Sequence, residues 1–384
     1  MNDREIGEIR RRIRPEKNNI VHILGCYVDE RREIISKFSL PLGLLMENES
    51  EKYLALLKKV LSGSLGRNLI NMEFSTEQVM NGEEHALLMR LRDSALEDEQ
   101  ILDEFYGKII GSLVIEGKYL ILCAFEKYDV RSRSKNDEEM DDDSTEMFRY
   151  FLCSICPVKA TKPLLCYTPA ENSFHERALD WAVSAPEIGF MFPCFNERSS
   201  DIYNVLYYTR DAAENHDELI DALFKVSPPK PAAAQKACFE ETLSECLAEE
   251  CSLDVVQEVN TKLSELLDKH KESKEPEPLT VTARQVSRLL EDSGVSEQCA
   301  EQFTEHLEEH FGKDAEINAQ NLIDRKRLDL KTPDVVIRVN PERGDLIETR
   351  VINGRKYILI CAEGDVELNG VNISIKDEED SDSQ

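Results

Sequence analysis

The chain of 384 residues carries 76 acidic against 47 basic residues, a formal net charge of −29, which opposes nonspecific attachment to phosphate backbones and to anionic lipid. With 41% hydrophobic and 32% charged residues it has the composition of a folded protein, long enough for two domains with a core in each. No run of 18 apolar residues occurs, and the opening MNDREIGEIRRRIRPEKNN has neither an export nor a transit signature, so the expectation is a cytoplasmic protein without a membrane span, its eleven cysteines reduced.

In chain order, residues 3–14 predict a charged helix with Ile6, Ile9 and Ile13 on one side, closed by Pro15. The segments 19–29 and IISKFSL read as a hairpin. Tyr53, Leu54, Leu57, Val60 and Leu61 recur at helical spacing, and residues 69–74 read as a short strand. Ser75 and Gln78 form a capping box, followed by helices near 83–92 and over Ile101 to Ile110. YLILCAF (119–125) is apolar without a break, the mark of a strand covered on both faces.

The densest apolar and aromatic stretch, Phe148 to Tyr208, reads as the centre of the sheet with a polar loop attached as a lid. It holds the single tryptophan, Trp181, read as a plug at the core edge. A helix follows over 214–224. SPPKPAAAQ (227–235) is a stiff proline-rich boundary. Helical stripes through Phe239, Leu243 and Leu247, and through Val255 to Leu267, come next, then a second linker, KESKEPEP. Residues 279–376 read as a small α+β unit: two helices, then strands punctuated by Asn353-Gly354 and Asn369-Gly370, a dipeptide that favours tight hairpin turns. INGRKYILICAEGDV (352–366) echoes IEGKYLILCAFEKYDV (115–130), and convergence on a good hairpin explains this more simply than duplication. The expected division is therefore 1–226, a connector at 227–278, a small domain at 279–376 and an acidic tail at 377–384.

Five constellations could carry chemistry. Cys153 and Cys156 form a CxxC, a pattern suited to Zn²⁺ or redox work. Residues three apart on a strand point to opposite faces, so buried structural thiols are the simpler expectation, with no cofactor and Zn²⁺ as the alternative. His306 to His310 matches the H-x-x-E-H zinc-peptidase pattern, but Phe303, Leu307 and Phe311 claim that helix's inner face. His175, Glu176 and Arg177 on one loop, with Glu197, Arg198 and Asp201 on the next, could meet in a polar pocket and are the catalytic candidates; a salt-bridged cap over the sheet is the plainer reading. DEEMDDD (137–143) lacks the spaced ligands and turn glycine of a calcium loop. The basic run Arg10 to Arg12 reads as surface.

The segments LSGSLGRNLINMEF (61–74), LLMRLRDSALED (87–98), DEFYGKII (103–110), LCSICPV (152–158), ENSFHERALDW (171–181), FPCFNERSSDIYNVLYYT (192–209) and KTPDVVIRVNPERGDLIETRVINGRKYILI (331–360) resemble a bacterial family, found mainly in the Firmicutes and catalogued only as a domain of unknown function, number four-three-one-seven. The resemblance spans nearly the whole chain and implies no activity, cofactor or catalytic residue. In element order alone, the chain is also loosely similar to bacterial nucleoid-associated proteins.

Taken together, the sequence predicts an α+β protein with a mixed, largely antiparallel sheet, flanking helices and a helical connector. The expected role is a non-catalytic interaction or regulatory protein that binds a protein partner or itself, with the 235–270 helices as the candidate oligomerisation element, rather than nucleic acid or membrane. An enzyme working around His175 and Arg198 is one alternative, and nucleoid association another.

Overall fold

The computed structural model describes residues 1–130, 146–162, 164–177, 180–362 and 364–374; the DEEMDDD run and the tail 377–384 lie outside the described residues. The fold is α+β. The chain divides into two compact units, one of residues 1–235 with 275–278, the other of residues 236–274 with 279 onward.

The first unit opens with α1 (Asp3–Arg12), whose start is fixed by a capping box between Asn2 and Glu5. The hairpin β1 (His22–Val28) and β2 (Ile34–Pro41), helix α2 (Glu47–Lys59) and strand β3 (Leu69–Glu73) follow. Then come α3 (Thr76–Asn81), capped by the Ser75–Gln78 box, α4 (Glu83–Asp93) and α5 (Glu99–Ser112). The two longest strands are β4 (Lys118–Val130) and β5 (Glu146–Ala160). After them stand β6 (Leu164–Thr168), β7 (Ser173–Arg177), β8 (Trp181–Val183), β9 (Ile188–Phe192), β10 (Cys194–Asn196), β11 (Ser199–Asp201), β12 (Asn204–Thr209) and α6 (Asp217–Leu223).

The main sheet runs β2-β1-β4-β5-β9-β12-β3, with β8 paired to the far end of β5. Every ladder in it is antiparallel. β5 is thus the middle strand, and the stretch from Phe148 to Tyr208 does supply the sheet's centre. Helices cover both faces. On one, α4, α5 and α6 press Leu88, Phe105, Ile109 and Ile220 onto Cys123, Phe151 and Phe190. On the other, α1 and α2 press Ile6, Ile9, Ile13 and Leu57 onto Leu122, Tyr150 and Leu206. That double cover is why β4 and β5 are apolar at consecutive positions although the sheet is antiparallel.

In the second unit, α7 (Ala232–Leu247) and α8 (Leu253–Ser273) pack with α9 (Ala283–Glu291) and α10 (Glu297–Phe311). The stripes Phe239, Leu243, Leu247 and Val259, Leu263 are spent in this core, against Val286, Leu290, Phe303 and Leu307. β13 (Thr280–Val281) pairs with β14 (Ile317–Asn318), and α11 (Ala319–Leu322) follows. The remaining strands form three separate hairpins: β15 (Leu328–Lys331) with β16 (Val336–Val339), β17 (Ile347–Ile352) with β18 (Arg355–Ile360), and β19 (Val366–Leu368) with β20 (Val371–Ile373). Asn353, Gly354, Asn369 and Gly370 all have positive φ, as the two tight turns require.

Candidate functional site

The sequence candidates divide between two places. β10 and β11 form a hairpin whose two turn residues, Glu197 and Arg198, both sit in the left-handed region at φ 48 and 62. That conformation is costly for residues with a Cβ, and contacts from α1 hold it. The Glu197 N–H donates to Glu5 Oε1 at 2.7 Å, and Arg198 Nη1 reaches both oxygens of Glu8 at 3.0 and 2.8 Å. Asp201 accepts from the Tyr203 N–H and from the side-chain amides of Asn196 and Asn204.

From Glu8 the polar contacts run inward along the sheet. Tyr128 donates its hydroxyl to Glu8, and the Arg12 guanidinium lies 4.0 Å over the Tyr128 ring. Arg12 Nη2 then pairs with Glu126 Oε1 at 2.9 Å. Glu126 is only 1% exposed and also accepts from the Tyr150 hydroxyl and the Asn19 N–H. Burial, and then the Glu126 charge, push the Tyr150 phenol well above its ordinary value; burial and the Glu8 bond raise Tyr128. Both tyrosines are therefore hydrogen-bond donors, not bases, at neutral pH. The sequence placed Arg10 to Arg12 on the surface; Arg12 instead turns inward. Its carboxylate partner stands 114 positions away, beyond any local pattern.

His175 and Glu176 lie elsewhere, on β7 of the hairpin β6–β7. His175 pairs in register with Cys166, and its ring reaches Glu171 at 2.9 Å, with both side chains more than half exposed. Arg177 closes β7, and its side chain lies outside the described residues. The alternation of the ladder puts Leu165, Tyr167 and Phe174 on one face of this hairpin. They are 73%, 48% and 66% exposed, and the Tyr167 and Phe174 rings lie 5.4 Å apart. Trp181 corrects a second expectation: it does not plug the core. β8 pairs only with Val158 to Ala160, and Trp181 stands opposite the exposed Ala160, beyond the buried Val158, so the indole is 47% exposed under the Lys118 ammonium at 3.6 Å.

Cys153 and Cys156 are both buried and belong to different cores. Cys153 faces Cys123 across the β4–β5 ladder on the α5 side; Cys156 lies on the α2 side, beside the Ser154 hydroxyl at 3.3 Å. Burial raises both thiols, Cys156 to about 11. Pointing to opposite faces, they have no common coordination sphere. His306 and His310 sit on the exposed side of α10, and among the described residues no three His, Cys, Asp or Glu side chains form a metal-binding group.

A groove of about 370 Å³ that the sequence did not signal opens in the first unit, beside Asn19 and Lys127. Leu24, Leu96, Leu102 and Phe125 floor it, His22, Glu97, Glu99 and Lys127 rim it, and none of the sequence candidates lines it. It depends on the turn at Ala95 and Leu96, two more residues with positive φ.

The family described as a domain of unknown function (DUF4317) matches residues 1–371 of the chain. No curated protein matches it.

Proposed function

The chain belongs to the DUF4317 family, and from that premise we propose that it is a non-catalytic interaction protein of the cytoplasm, which holds a protein partner on the β6–β7 hairpin. One observation carries this reading: Leu165, Tyr167 and Phe174 share one uncovered face. An isolated two-stranded hairpin is marginal in water, and apolar side chains clustered outside the core mark a contact surface. The clustered polar side chains support the same reading. Arg198 is engaged by Glu8, Asp201 by two asparagines, and Arg12 by Glu126, so the groups a catalyst would need are used to hold the fold.

Replacing Tyr167 with a photo-crosslinking phenylalanine analogue in cells tests the proposal. A discrete protein adduct is expected, and Leu165→Asp with Phe174→Asp should abolish it. Absence of any adduct, or an adduct indifferent to those substitutions, would defeat the interaction reading at this hairpin.

A further inference from the structure

We propose that β18 pairs antiparallel with β18 of a second copy of this chain, joining two β17–β18 hairpins into one four-stranded sheet about a two-fold axis. The inference goes beyond the partner proposed for β6–β7 and uses a different segment, so either can fail alone.

Two similar strings stand in different surroundings. Lys118 to Ala124 reads KYLILCA and lies in β4, paired on both edges and covered on both faces. Lys356 to Ala362 reads KYILICA and supplies most of β18, yet among the described residues β18 has a neighbour on one edge only. Ile360 is 55% exposed, and Val351, which shares its face, is 70% exposed. An uninterrupted apolar run is the composition of a strand with cover. A bare edge of this kind invites another strand.

The hydrogen-bond direction fixes which groups are available. Ile352 and Arg355 flank the two-residue turn, and the Cys361 N–H donates to the Leu346 carbonyl at 2.8 Å. Alternation along an antiparallel ladder then turns Arg355, Tyr357 and Leu359 toward β17. Lys356, Ile358 and Ile360 present their backbone N–H and C=O groups outward. These are the groups an added strand takes up.

Charge selects the occupant. β18 begins with Arg355 and Lys356, runs through four apolar residues, and leads on to Asp365. The strand is therefore bipolar, positive at its start and negative beyond its end. A second copy laid antiparallel brings the basic start of each strand alongside the acidic exit of the other. A parallel copy would stack like on like. The two-fold arrangement is closed, so it yields a dimer and not a filament. Four strands with a shared apolar face also meet the requirement that a lone hairpin does not.

Light scattering on the full chain after size exclusion tests this directly. At about 100 μM and low salt the expected mass is twice the 43.9 kDa of one chain. Ile358→Pro removes an outward N–H while leaving the inward ladder donors in place, and should return the mass to one chain; Ile358→Val should not. Arg355→Asp and Asp365→Arg should each weaken the dimer at least ten-fold, and the two together should restore it. A monomeric wild type, a dimer that survives Ile358→Pro, or a charge swap without recovery would each overturn the proposal. So would a monomer whose β18 edge takes up an unrelated extended peptide.

Discussion

Cys153 and Cys156 stand three residues apart on one strand, and a whole sheet separates their sulfurs. Each is sealed beneath helices on its own side. The thiolate is the reactive form, and burial disfavours it at both. Cys26, pushed up to about 12, is sealed in the same way. In the native protein an alkylating reagent at pH 8 should modify the exposed Cys361 and leave Cys26, Cys123, Cys153, Cys156 and Cys194 unlabelled until the first unit unfolds. Peptide mass spectrometry after timed labelling checks this. Labelling of Cys153 or Cys156 at the rate of Cys361 would show that the sheet is open.

The Arg12–Glu126 pair is a buried ion pair with extra hydrogen bonds, the arrangement in which losing one partner costs more than losing both. Arg12→Met should strand the Glu126 carboxylate and destabilise the first unit by about 3 kcal/mol. Combining Arg12→Met with Glu126→Met and Tyr150→Phe should cost less than the single change, because no charge or hydroxyl of the set is then left buried alone. Urea denaturation of the three proteins decides it. A triple variant less stable than the single one contradicts the expected ordering.

These two cases show which parts of the fold the sequence disclosed. Opposite-face cysteines follow from the two-residue period of a strand, and the box at Ser75 follows from its spacing to Gln78; each is local, and each is present. The polar seam was not legible, because Glu126 is followed by Lys127, an ordinary surface pattern, and nothing local announces that Arg12, 114 positions away, will meet it. Trp181 failed for the opposite reason. A tryptophan beside an apolar strand fits a core edge, but the sequence does not say where the buried part of β5 ends, and Trp181 stands past that end. The Asn-Gly turns announced the C-terminal hairpins correctly, while leaving open that these hairpins stay separate instead of forming one sheet.

Two glycines on the main sheet should respond differently to alanine. At Gly189 an added Cβ would lie 2.6 Å from the Cys153 carbonyl oxygen and 2.2 Å from Val60 Cγ1, within the packed α2 side. The backbone atom cannot move without breaking the β5–β9 ladder, so Gly189→Ala should cost about 3 kcal/mol. At Gly25 the obstacle is the Phe38 ring, as near as 2.0 Å, on the edge strand β2. That ring can swing toward solvent, and Gly25→Ala should cost about 1 kcal/mol. Thermal unfolding of the two variants tests the contrast, and equal losses would mean that β2 is held as firmly as the centre.

His85 makes the first unit sensitive to acid. Its ring is buried against Phe74 and Phe192, with Nε2 at 2.9 Å from the Ile202 carbonyl, which identifies Nε2 as the protonated nitrogen of a neutral ring. Burial lowers its pKa below the ordinary 6.5; the Ile202 bond opposes this, and Arg92 adds to it. A folded value below the unfolded one means that the unfolded chain takes up the proton first as pH falls. The neutral ring's contribution is therefore complete above about pH 6.5 and is lost progressively between there and the folded value. The melting temperature should fall between pH 7 and pH 5, and His85→Gln, which keeps an N–H for Ile202 but does not titrate, should flatten that fall. Thermal melts of both proteins across this range measure it. A wild-type slope that persists unchanged in the glutamine variant would assign the acid sensitivity to other groups.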